Sequence, residues 1–166
     1  MTNYICINGK KAELTEEQMK ALGIKLPKAS NSFKRVKENE TYWFIHQTGV
    51  VDSYYETNDI VDNDCFNIGN YCTDKAILEQ RALHETLNRL LWRYSMEHDG
   101  DKIDWTKISE KKYLICYHHP HNEYVVKFNW ALSSFGDIFF NSREIAENAI
   151  EEVIKPFMKA HPDFKF

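Results

Sequence analysis

The chain is predicted to be an α+β protein: an N-terminal ββα unit followed by two repeated β-sheet-plus-helix units, with helices packed on antiparallel sheets. Three observations predict this. A strand-like phrase, Tyr42-Trp43-Phe44-Ile45, leads to Ile68-Gly69-Asn70-Tyr71-Cys72-Thr73 and a helical pattern. A second one, Tyr113-Leu114-Ile115-Cys116-Tyr117, leads to Phe135-Gly136-Asp137-Ile138-Phe139-Phe140-Asn141-Ser142 and another helical pattern. Ahead of both, Ile5-Cys6-Ile7 and Ala12-Glu13-Leu14 flank Asn8-Gly9, a dipeptide suited to the positive φ angles of a type I′ hairpin turn.

The predicted organisation follows the chain. Residues 1–24 form the ββα unit: Thr15 caps a short helix with Gln18 at the capping-box position, and Gly23 ends it. A basic linker occupies 25–38, with Pro27 and Ser30-Asn31-Ser32 marking the break in periodicity. The first repeat spans 39–100. Its strand 41–46 turns near Gly49, and Thr73 is the expected N-cap of a helix reaching about residue 97. Ile77, Leu83, Leu87, Leu90, Leu91 and Tyr94 recur at three- and four-residue steps, the core stripe of an amphipathic helix. The second repeat spans 101–166. There Tyr124, Val126, Phe128 and Trp130 alternate with polar or smaller neighbours, as in a strand with one buried face. Asn141 and Glu144 make a capping box, and Ile145, Ala149, Ile150, Val153 and Ile154 build the last helix. Pro156 must end or kink that helix, because it lacks an N–H and its ring clashes with the preceding turn. The Phe157–Phe166 tail is expected to fold back on the body.

With 166 residues, 43% of them hydrophobic and 28% charged, the chain is long enough to bury a core. The formal charge of −4 excludes a basic nucleic-acid coat and a polyanion mimic. Cys6, Cys65, Cys72 and Cys116 show no Cys-x-x-Cys spacing and read as reduced thiols of a cytoplasmic protein. No signal pattern and no apolar run approaching ~18 residues is present, so no membrane association is expected.

A search for reaction chemistry returns nothing that would build an active site, and the chain is read as a non-enzyme with no cofactor. All six glycines are isolated, so neither a P-loop nor a dinucleotide fingerprint exists. His84-Glu85 begins a zincin-like motif, but position 88 is Asn88. Asp99, Asp101 and Asp104 lack the downstream bidentate Glu of a calcium loop. Cys72 reads as a strand residue buried ahead of a helix cap. His118-His119-Pro120-His121 reads as a polar hairpin tip between strands 113–117 and 124–130, with no further donor indicated and no metal assigned.

Two segments of opposite sign are the candidate sites. The acidic-aromatic stretch Asp52, Tyr54, Tyr55, Glu56, Asp59, Asp62 and Asp64 contains no base and is the candidate partner-binding loop. The stretch carrying Lys25, Lys28, Lys34, Arg35 and Lys37 contains no acid. Extended by Arg81, Arg89 and Arg93 on the long helix, it is the candidate surface for an alternative RNA- or DNA-binding role. The plainer reading of the basic stretch is a solvated linker lying against the acidic loop of the same molecule, and that of the acidic stretch is a surface loop.

The stretches 8–18, 42–45 and 68–73, closed by Ile138-Phe139-Phe140-Asn141-Ser142-Arg143-Glu144-Ile145-Ala146, resemble a group of small accessory proteins encoded in phages and prophages of Gram-positive bacteria. Residues 74–81 depart from the Glu- and Ala-rich helix start usual in that group. The resemblance brings no catalytic residues. It implies a host-cytoplasmic protein that binds and blocks a host defence protein or ribonucleoprotein, in the manner of an anti-CRISPR.

Overall fold

The computed structural model describes residues 4–7, 10–13, 31–98, 100–133 and 136–165, and shows a mixed α+β protein of helices and antiparallel sheets. Its contacts divide the chain into two units, Met1–Lys34 and Arg35–Phe166. In the first, β1 (Tyr4–Ile7) pairs antiparallel with β2 (Lys10–Glu13), with Ile7 opposite Lys10, while Asn8 and Gly9 lie outside the described residues. The helix predicted after Thr15, and Lys25 and Lys28, lie outside the described residues.

Among the described residues the second unit holds two sheets. In one, β3 (Thr41–Ile45) pairs antiparallel with β4 (Val51–Tyr55). Gly49 takes a φ of 84° in the connecting turn, where His46 N–H reaches Val50 O at 2.8 Å. Cys72 joins the far edge of β3 through reciprocal backbone bonds with Trp43. In the other sheet, β5 (Lys112–His118) lies between β6 (Glu123–Asn129) and the short β7 (Phe139–Phe140), again antiparallel.

A helix that the sequence reading leaves as loop, α1 (Ile60–Asn67), stands between β4 and Cys72. Its N-cap Asp59 accepts from the Val61 and Asp62 N–H groups, and Asp62 reaches back to the Asp59 N–H, a capping box built with Asp in place of Glu. The long helix α2 (Lys75–Glu97) is capped by Asp74, one residue beyond the expected Thr73. Its buried line is Leu78, Ala82, Leu87, Leu91, Tyr94 and Ser95, so Leu78 replaces Ile77, which is exposed.

The reason for that rotation is that α2 serves two cores in succession. Leu78 and Ala82 close a small cluster with Ile45 and Cys72 on the β3–β4 side. Leu87, Leu91 and Tyr94 close a larger one with Phe140, Ala146, Ile150, Ile154, Phe157 and Phe164. At ~1.5 Å per residue the helix is ~35 Å long, enough to reach from one to the other.

The last helix begins at α3 (Arg143–Ala149), capped by Ser142 rather than Asn141, and does not stop at Pro156. It passes through a π-helical stretch, Ile150–Ile154, into α4 (Lys155–Ala160). The wider turn, in which Lys155 N–H bonds Ile150 O, is the adjustment that takes up a ring with no N–H to donate. The tail then returns: Phe164 is buried edge-on against Phe157, and Gln80 holds the backbone of Asp163 and Lys165.

The β6 alternation is only half used. Tyr124 and Val126 pack on the larger cluster, whereas Phe128 and Trp130 remain exposed, edge to face with each other. Among the described residues Cys65, Cys72 and Cys116 carry free thiols, and no helix is long and apolar enough to cross a membrane.

Candidate functional site

The two charged segments meet each other. Arg35 closes a fork on Glu56, with Nε at 3.0 Å from Oε2 and Nη2 at 2.7 Å from Oε1, and its Nη1 donates to Asn63 at 2.7 Å. Glu56 is 0% exposed and also accepts from the Tyr71 hydroxyl and the Asn58 N–H. Behind it Tyr71 stacks on Tyr42, whose hydroxyl donates at 2.7 Å to the equally buried Asp62. The second Asp62 oxygen accepts from the Thr57 N–H and hydroxyl.

This network fixes the charge states. The Arg35 fork holds the Glu56 carboxyl below the usual carboxylate range. Burial works against the Asp62 carboxylate, but the bonds from Thr57, Tyr42 and Asp59 outweigh it and draw its pKa down to about 2. Burial pushes the Tyr42 hydroxyl up, and the Asp62 carboxylate that it donates to adds to the rise. Tyr71 is raised to about 12, chiefly by burial.

The candidate partner-binding residues therefore separate. Glu56 and Asp62 face inward as internal counter-charges, and Asp59 caps α1. Asp52, Tyr54, Tyr55 and Asp64 remain exposed, so what the loop presents is narrower than the sequence suggests.

The candidate basic surface separates as well. Lys34 and Lys37 are exposed, while Arg35 is engaged by Glu56. On α2, Arg81 and Arg89 both pair with Glu85, and Arg93 lies 3.8 Å from Glu97. Arg81 also donates to Gly69 O. A phosphate-tracking surface draws its affinity from uncompensated cations, and each of these arginines has a carboxylate beside it.

The feature missed by sequence reasoning is a cleft of about 420 Å³ at the C-terminal end of α2. Trp92 and Met96 of the helix, Asp101 and Trp105 of the following segment, Asp137 just ahead of β7 and Phe139 within it are among its lining residues. Its base is held tightly. Ser95 Oγ donates to Phe139 O at 2.6 Å, and a Cβ on Gly100 would stand 2.2 Å from that Oγ, so only glycine fits there. Trp105 meets Phe139 edge-on, and the buried Lys112 ammonium lies 5.8 Å from the Trp105 ring centre while holding Lys107 O and Glu110 O.

The wall chemistry is selective. Trp92 is 59% exposed, and two carboxylates stand in the same cleft. The last turn of α2 carries no basic residue to offset the negative end of its helix dipole. An indole face, carboxylates and a helix C-terminus all favour a cation with an apolar or planar body, such as an arginine or lysine side chain. No protein-family model, curated protein or solved structure matches the chain.

Proposed function

We propose that this chain is a non-enzymatic binding protein, phage- or prophage-encoded, that inhibits a host defence component in the bacterial cytoplasm by seating a basic side chain of that protein in the cleft at the end of α2. The observation that carries this reading is the cleft itself, with exposed Trp92, Trp105, Asp101 and Asp137 on one concavity. Exposed tryptophans are the residues around which protein interfaces concentrate their binding energy. The exposed part of the acidic-aromatic loop, Asp52, Tyr54, Tyr55 and Asp64, is a second contact of the same sign.

The architecture supports a presenting scaffold. Each of the two sheets in the second unit is a hairpin whose first strand also pairs with a short later segment, Cys72 in one and Phe139–Phe140 in the other, just ahead of a helix. We read these as the two copies of a duplicated unit. The RNA- or DNA-binding alternative is the weaker reading, since the arginines it relies on are paired.

Affinity purification from a Gram-positive host, with and without nuclease, tests the proposal. The expected result is a defence protein retained after nuclease treatment and lost from the Trp105→Ala/Asp137→Lys variant. Retention that disappears with nuclease, or that ignores this variant, overturns it.

A further inference from the structure

We propose that the tip of the β5–β6 hairpin is a binding site for a divalent transition metal ion of the zinc class, held by His118, His121 and Glu123. Strand register places His118 directly opposite Glu123, and the turn brings His121 over both. His118 Nδ1 lies 4.0 Å and His121 Nδ1 3.7 Å from Glu123 Oε1, and the two imidazole centres are 4.4 Å apart. One donor atom from each of the three residues falls within a 4.8 Å sphere of separations.

Around a tetrahedral zinc ion with bonds near ~2.0–2.1 Å, neighbouring donors sit about 3.3 Å apart. Closing from these separations to that spacing takes side-chain rotations, which the exposed His121 and Glu123 and the half-buried His118 have room to make. The backbone beneath is already shaped. His121 N–H bonds His118 O, Asn122 N–H bonds His119 O, Asn122 takes a φ of 54°, and the Tyr117 hydroxyl donates to the Asn122 side chain. Two imidazoles and one carboxylate select zinc, cobalt, nickel or copper over magnesium and calcium, and leave a coordination position open to water.

The sequence shows the histidines but not the third donor. Glu123 joins them only because the pairing of β5 with β6 puts it there. His119 is the internal control, since its ring turns instead to Tyr117, 5.0 Å away.

Calorimetric titration of the untagged full chain with Zn²⁺, repeated with Co²⁺ as a visible-absorption probe, decides the matter. The expected result is saturable binding of one ion per chain, unaffected by excess Mg²⁺ or Ca²⁺. Loss of a second-sphere residue commonly costs ~10–100-fold in metal affinity, so His118→Ala, His121→Ala and Glu123→Gln, which each remove a ligand, should weaken binding by roughly tenfold or more. His119→Ala should leave it unchanged, and circular dichroism should show all four variants folded. Absence of saturable binding, equal loss on His119→Ala, or binding that survives His118→Ala/His121→Ala overturns the site.

Discussion

Arg35 and Glu56, 21 residues apart, meet in a two-pronged ion pair whose acidic half is fully enclosed by protein. Their segments carry opposite charge along the sequence, and the fold brings them together rather than offering them to different partners. The carboxylate is satisfied four times over, by two guanidinium nitrogens, a phenol and a backbone amide.

Removing the cation alone should therefore hurt more than removing both charges, because an unpaired buried carboxylate is the costly state. Arg35→Met should lower the thermal midpoint by several degrees, and Arg35→Met/Glu56→Gln should recover part of that loss. Thermal unfolding followed by circular dichroism reads the order directly. A double variant less stable than the single one contradicts the role given to the pair.

Acid should unfold the protein through Asp62. Its folded pKa of about 2 lies below the ~3.9 of an unfolded aspartate, so the folded state binds its proton less tightly. That contribution is present at neutral pH and is lost as pH falls from about 5 toward 2. The denaturation midpoint should decline over this window, with a shallower slope in Asp62→Asn. At the opposite end Tyr71, raised to about 12, should ionise after the exposed tyrosines in an ultraviolet titration.

Gly100→Ala should be among the most damaging small substitutions. The added methyl would meet Ser95 Oγ and the Ser95 carbonyl at 2.2 and 2.7 Å, inside van der Waals contact, and neither is a flexible chain end. Overpacking of this kind costs ~1–3 kcal/mol. A chemical denaturation curve would show it, together with a change in Trp emission as the cleft shifts.

Lys112→Met should loosen the segment that carries Trp105. The ammonium is buried and bridges Lys107 O at 2.6 Å and Glu110 O at 2.9 Å. Charged hydrogen bonds contribute ~1.5–3 kcal/mol each, and methionine keeps the volume while losing both. Faster amide exchange across 103–111, with β5 unchanged, is the expected pattern.

The strands and the long helix are legible in the sequence because their signals are local. A continuous apolar run marks β5, alternation marks β6, and three- and four-residue apolar steps run from Leu83 to Tyr94. Helix α1 is hidden because Ile60, Val61 and Phe66 stay exposed, so no apolar periodicity betrays it. The Asp59-x-x-Asp62 spacing is a cap signal, masked by surrounding acids that read as a solvated loop. The inward turn of Glu56 and Asp62 depends on Tyr71 and Tyr42 arriving from elsewhere in the chain. The cleft draws its walls from residues as far apart as Trp92, Trp105 and Asp137, and no spacing rule links them.

One consequence of the long helix reaches beyond packing. The two sheets of the second unit share this rod: Leu78 and Ala82 close the cluster beside β3 and β4, while Leu87, Leu91 and Tyr94 join Ala146, Ile150 and Ile154 of the last helix in the larger one. Fraying that rod at either end strips shelter from the neighbouring sheet, and bending its middle disturbs both. Strain introduced near Trp92 thus has a stiff lever along which to travel toward the β3–β4 hairpin.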